Sequence, residues 1–307
     1  MTTSLSGQPR PRRFRVSRRV LPYLLSLPAL LTCIGILVPF LTAVAYSLQR
    51  YRLSQPWARE WNWGANYLNF LSDSAFWNTL RVSVTYAGLT VVLELLLGLG
   101  IALLLQKRNR VNNFVSIMLL MPLMTAPALA ALMWKLMTNP GFGILSYFAT
   151  VLGIENFRWA SDPSTAMLTV VIVDIWVYTP FIMILLLAGL RSLPQQPFEA
   201  AALDGVPRLF VFWRITLPML TPFLLTATLF RVIESIQQFD IIYAMTQGGP
   251  GDKLTVFQVE AYLNFFQSTN VGRSAALLMI LWAITYTLSN IFIKNWLRLR
   301  EKQRGNA

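Results

Sequence analysis

The sequence predicts an all-α, polytopic membrane protein with six transmembrane helices. Of its 307 residues 55% are hydrophobic and only 13% charged, and the apolar residues gather in long runs. A soluble domain carries roughly 25% charged residues, whereas mean hydropathy here is +0.52. The runs are Leu21 to Leu48, Leu80 to Leu105, Phe114 to Met137, Ala166 to Leu190, Ile215 to Met245 and Ala275 to Leu297. Each is long enough to cross a hydrocarbon core of ~30 Å, which takes about 20 helical residues.

Residues 1–20 form a basic tail with Arg10, Arg12, Arg13, Arg15, Arg18 and Arg19. The first apolar run is too long for a secretory signal and shows no small-residue cleavage site, so it reads as an uncleaved first span. The remainder, 21–297, is a single transmembrane domain, and 298–307 is a second basic tail. Lys107, Arg108, Arg110, Arg191, Arg208, Arg214, Arg298, Arg300, Lys302 and Arg304 fall on the same side as the N-terminal arginines. The positive-inside rule therefore puts both termini in the cytoplasm. Opposite them, residues 49 to 78 form the longest outer loop, and Trp57, Trp61, Trp63, Trp77 and Trp159 suit the membrane interface. The net charge of +13 belongs to this topology and not to a nucleic-acid surface.

Histidine is absent and Cys33 is the single cysteine, so no disulfide framework, Cys/His metal site or histidine-based triad is available. Cys33 itself is expected to pack as a small core hydrophobe. Neither a catalytic nor a metal site is expected, and the chain does not read as an enzyme. It also has no G-x-x-x-x-G-K-[ST] run to hold ATP phosphates.

Between the fourth and fifth runs, about 195–218, lies a polar interruption built as helix, turn, helix. Pro197 suits a first helical turn, and Glu199 complements the positive end of the helix dipole. Ala200, Ala201 and Ala202 add helix propensity with almost no bulk. Gly205, after Asp204, can take the left-handed conformation that ends a helix, and Pro207 can start another, expected to run to Leu217-Pro218. Such a bare alanine face suits a groove on another protein, although an ordinary cytoplasmic loop has the same form.

Glu199, Ala200, Ala201, Asp204, Gly205, Ile215, Leu217 and Pro218 resemble the EAA loop of permease subunits of binding-protein-dependent ABC importers. Val206-Pro207 stands where the family often has Ala-Ser. The resemblance implies a type I importer fold, with the loop acting as the coupling helix that docks in a cleft of an ATP-hydrolysing subunit. It further implies a second, homologous permease subunit, two ATP-binding subunits that use ATP and Mg, and an extracellular solute-binding protein. The setting implied is a prokaryotic inner membrane, and no cofactor is expected on this chain.

Ionisable residues at membrane depth are costly and face a cavity or a partner. Arg231, Glu234, Ser235 and Gln238 form one stripe at helical spacing, from which Gln237 and Asp240 fall away. The stripe suits a polyhydroxyl ligand, yet Arg231 and Glu234 could equally pair and lock helix packing. Ser83, Thr90, Glu94 and Gly98 share a face of the second span, and Asp174 and Tyr178 share one of the fourth, before a kink expected at Thr179-Pro180. In the sixth, Trp282, Tyr286 and Asn290 recur every four residues, either flanking a sugar ring or packing between helices.

Phe239, Asp240, Ile242, Tyr243, Thr246, Gly248, Gly249 and Pro250 resemble the F-D-x-I-Y-x-x-T-x-G-G-P motif of carbohydrate-class permeases, the maltose and glycerol-phosphate type. That resemblance implies half of the pathway of an ATP-driven sugar importer working by alternating access. Few net charges favour a neutral sugar or polyol, while Arg231 keeps a sugar phosphate or sulfonated sugar open. The rival reading is a self-contained secondary transporter or channel, which would need matched Gly/Pro-broken helices in two halves; no such pair is evident.

Overall fold

The computed structural model describes residues 21–154 and 157–305; the tail at 1–20 lies outside the described residues. The chain divides into two units, Met1–Ala45 and Tyr46–Ala307. The first carries nearly all of α1 (Leu21–Ser47), a helix that continues through Pro28 and Pro39. Cys33 is exposed on it, contrary to the expected core position. A helix that is apolar on all faces has no face reserved for a core, and in a membrane an exposed thiol meets lipid.

In the second unit, the segment between α1 and the next long helix holds the antiparallel pair β1 (Gln49–Arg50) and β2 (Glu60–Trp61), then α2 (Ala65–Leu71). α3 (Ser74–Leu104) is capped by Asp73, whose carboxylate accepts from Ala75 N at 2.9 Å. The third apolar run departs from the expected single span. It forms α4 (Arg110–Leu119), a 3-10 turn at Pro122–Met124 and α5 (Pro127–Met137). The cause is Pro127, which forces Ala126 out of the helical region to ψ 128°. Neither helix alone is long enough to cross about 30 Å.

α6 (Ile144–Val151) follows, and α7 (Ala166–Ser192) runs unbroken through Pro180. Then come α8 (Gln196–Leu203), α9 (Arg208–Val211), a π-helical turn at Phe212–Thr216, α10 (Leu217–Ile236), α11 (Asp240–Thr246), α12 (Phe257–Phe266) and α13 (Val271–Gly305). The basic C-terminal segment is thus a continuation of α13, as far as Gly305. Among the described residues, five stretches are long and apolar enough to cross a membrane: Leu25–Ser47, Ser74–Leu104, Ala166–Ser192, Arg208–Thr246 and Val271–Arg298.

α7 is the central helix of the second unit. Val170, Val173 and Val177 pack with Tyr86 of α3, Ala130 and Ala131 of α5 and Ile241 and Ile242 of α11. Further along, Ile182, Leu186 and Leu190 pack with Ala102 of α3 and Leu220 and Ala227 of α10. Gly98 sets how close α3 and α7 can come: a Cβ there would lie 2.6 Å from Ile182 Cγ2 and 3.1 Å from the Met183 backbone nitrogen. Small residues at helix crossings permit this backbone approach in membranes.

Candidate functional site: a capped loop and a buried charge cluster

The polar interruption folds as two helices hinged at a glycine. Pro197 lies in the first turn of α8, and Glu199 is exposed there. Gly205 takes φ +64°. Its N–H donates to Ala202 O at 3.3 Å, and Val206 N–H donates to Ala201 O at 3.0 Å. These two bonds are the Schellman cap, which satisfies the last carbonyls of the helix only with a left-handed residue at that position.

Phe198 packs on the cluster containing Leu190, Leu193 and Leu220, seating α8 on the ends of α7 and α10. Ala201 is buried beneath it, while Ala200 and Ala202 face out. The expected bare alanine face is therefore only partly free. More apolar surface is exposed by residues the sequence reading overlooked: Leu203 at 89%, with Leu209, Phe210 and Trp213. The expected end of the second helix at Leu217-Pro218 is also corrected. Pro218 sits in the first turn of α10, where its missing N–H costs nothing, so α9, the π turn and α10 form one continuous helical path. A displacement at α9 consequently has a helical route into the membrane, and α8 is linked to α9 across the turn at Gly205.

Inside the bundle, Glu94 of α3, Asp174 of α7 and Arg231 of α10 meet at one point. Arg231 Nη2 donates to Glu94 Oε1 at 2.8 Å and to Asp174 Oδ2 at 2.8 Å, and Nε donates to Glu94 Oε2. Its Nη1 donates to Glu234 Oε2 at 3.1 Å, and the Tyr178 ring lies 4.1 Å from its Cζ. Gln238 Nε2 donates to Asp174 Oδ1 at 3.1 Å, and Thr90 Oγ1 donates to Ser235 Oγ at 3.2 Å. Three separate helices are fastened by a guanidinium that is 1% exposed, between two carboxylates at 0%.

The stripe read along α10 thus faces inward, except for Glu234, whose side chain is 53% exposed. The helix breaks at Ile236, and Gln237 and Asp240, which a continuous helical wheel leaves off the stripe, face outward. Gln237 Nε2 reaches Thr285 Oγ1 of α13 at 3.4 Å. Tyr286 stacks on Trp282 with ring centroids 5.4 Å apart. Tyr286 and the half-buried Asn290 lie on α13, outside the charge cluster. Phe239, Tyr243 and Tyr262 form a ring cluster with centroids 4.7 to 5.1 Å apart, next in the chain to Asp240.

Residues 94–303 match the model of the binding-protein-dependent transport system inner membrane component. The chain belongs to this family. It is 34% identical over 75% of its length to the trehalose/maltose transport system permease protein MalF of Thermococcus litoralis, covering 77% of that protein. It is also 34% identical over 88% of its length to the sn-glycerol-3-phosphate transport system permease protein UgpA of Agrobacterium fabrum, covering 92% of it. The fold matches a bacterial ABC transporter involved in import of the acidic polysaccharide alginate, with TM-score 0.78 at 17% identity, over 92% of this chain and 96% of that one.

Proposed function

We propose that this chain is one of two permease subunits of an ATP-driven importer of a sugar or sugar derivative in a prokaryotic cytoplasmic membrane. The observation that carries the reading is the Schellman-capped α8, which presents Glu199, Ala200 and Leu203 outward and is joined by the short turn at Gly205 to the continuous path of α9 and α10. Ala201, Asp204 and Gly205 fix its shape. Such an apolar, helical projection fits a groove on a separate ATP-hydrolysing subunit, one for each of two permeases around a pseudo-two-fold axis. ATP and Mg act in that partner, and a solute-binding protein delivers cargo to the outer loops.

For the pathway, the open polar groups Glu234, Gln237 and Asp240 are the ones a solute meets, with Tyr178 at their edge and Tyr286 and Asn290 across on α13. Glu94, Arg231, Asp174 and Gln238 act behind them as the frame that holds the helices together. Alternating access follows when closure of the ATPases moves α8 and, across the Gly205 turn and the α9 path, α10. The test is co-expression with the neighbouring operon products. The expected result is a complex of two different permeases and two ATPases whose ATP hydrolysis rises with a sugar-loaded binding protein. A solitary chain that moves solute without ATP would replace this reading with a secondary transporter.

A further inference from the structure

We propose that the pathway accepts neutral or cationic polyhydroxyl solutes and rejects anionic ones, including sugar phosphates, uronates and sulfonated sugars. The inference rests on the pathway assigned above. Kinship leaves this open, because relatives of comparable identity carry names of both neutral and anionic solutes. The side chains decide it.

An anionic solute needs a cation with free donors, and Arg231 is the one the α10 stripe contains. Four of its five donors are committed to carboxylates. Both hydrogens of Nη2 go to carboxylates, Nε serves Glu94 and Nη1 serves Glu234. Tyr178 covers its face at 4.1 Å, and the side chain is 1% exposed. Three carboxylates surround this single guanidinium, so the cluster has an excess of negative charge even with one carboxyl protonated.

On the open rim Asp240 adds one further carboxylate to that excess. Glu234 and Asp240 present carboxylates and Gln237 an amide, all exposed. Carboxylates accept from sugar hydroxyls, and the amide both donates and accepts, so a neutral polyol is well matched. The same carboxylates repel a second anion, and they do so more strongly than in water because the surroundings are less polarisable. Lys135, exposed on the helix packed against α11, donates one ammonium hydrogen to Ala244 O at 3.3 Å and lies off the α10 stripe. Beside Asp240, the faces of Phe239, Tyr243 and Tyr262 suit an apolar sugar face or a cation.

The experiment uses the whole transporter with its co-expressed partners in ATP-loaded proteoliposomes. Probes are trehalose and glucosamine against glucuronate and glycerol 3-phosphate, with each uptake normalised to occupancy of the binding protein so that the ratio reports the permease. The expected result is uptake of a neutral or amino sugar at least about tenfold faster than of either anion. Glu234→Gln and Asp240→Asn, each shown to assemble, should narrow that ratio severalfold by raising anion uptake. Equal wild-type rates for neutral and anionic probes would overturn the proposal, as would a ratio unmoved by both substitutions. Absence of ATP-dependent uptake of all four probes would instead remove the importer reading, and the selectivity with it.

Discussion

Arg231 of α10 and Asp174 of α7 share a hydrogen-bonded ion pair of 2.8 Å in which neither side chain is more than 1% exposed. Buried charge of this kind is stable only while its partners are present, since removing one leaves the others desolvated and uncompensated. The same guanidinium also holds Glu94 of α3, so one residue fixes the register of three helices.

Arg231→Met should therefore destabilise the assembled transporter by about 3–5 kcal/mol. Adding Glu94→Gln and Asp174→Asn to it should recover much of the loss, because no unpaired buried charge then remains. Thermal unfolding of the complex in detergent reads both. A single Arg231→Met variant as stable as the parent would mean that the cluster is not holding the bundle.

Gly98→Ala should separate α3 from α7. The new Cβ would lie 2.6 Å from Ile182 Cγ2, and the Met183 backbone cannot rotate away as a side-chain tip would. Overpacking of this sort costs about 1–3 kcal/mol. The companion change Ile182→Val shortens the opposing chain and leaves Cγ2 in place, so it should rescue little; Ile182→Ala should rescue more. Comparing midpoints of the three variants checks the contact.

Gly205→Pro should abolish import while leaving delivery by the binding protein intact. Proline requires φ near −65°, and Gly205 sits at +64°. Its N–H, lost in proline, is one of the two Schellman donors. Gly205→Asn tolerates the left-handed region and should retain most activity. Uptake by a normally assembled proline variant at the parental rate would count heavily against the role of the cap.

Asp73, just before the α3 span, makes an acid-sensitive contact with Arg273 in the first turn of α13. The hydrogen bond from Arg273, aided by that from Ala75 N, holds the Asp73 carboxyl below the usual aspartate range. A depressed carboxyl pKa contributes stability above the unfolded value, near 3.9, and that contribution is lost as pH falls through the folded value. Both side chains are 26% exposed, so solvent screening limits the effect to about 0.5 kcal/mol. Asp73→Asn should lower the unfolding midpoint slightly at pH 7, and the difference from the parent should shrink below about pH 4.

The long apolar helices and the capped loop were legible because each has a local cause. Span length is written in consecutive apolar residues, and Gly205 and Pro197 mark the ends of α8 by backbone geometry alone. Two features were not local. The third span is broken by the backbone of Ala126 ahead of Pro127, within a run whose hydropathy gives no warning. The break at Ile236 carries neither glycine nor proline and leaves no local mark, although the wheel continued across it still groups the buried Gln238 with Arg231 and Ser235 and leaves the exposed Gln237 and Asp240 off the stripe. The stripe itself was visible, but a single helix does not reveal that Glu94 and Asp174 arrive from two others to claim Arg231. Likewise the exposure of Leu203, Leu209, Phe210 and Trp213 depends on which apolar residues the bundle leaves uncovered, which sequence periodicity over so short a loop does not encode.

The central claim is that α8 is the contact with the ATPase, and crosslinking tests it most directly. Leu203→Cys in a Cys33→Ala background leaves one thiol, on the most exposed apolar residue of the loop. In the assembled transporter, a short thiol-to-amine crosslinker should join this position to the ATP-hydrolysing subunit, with the yield changing on ATP binding and transport lost once the link forms. A Leu203→Cys position that labels freely in the complete complex and never crosslinks to the ATPase, in any nucleotide state, would contradict the account.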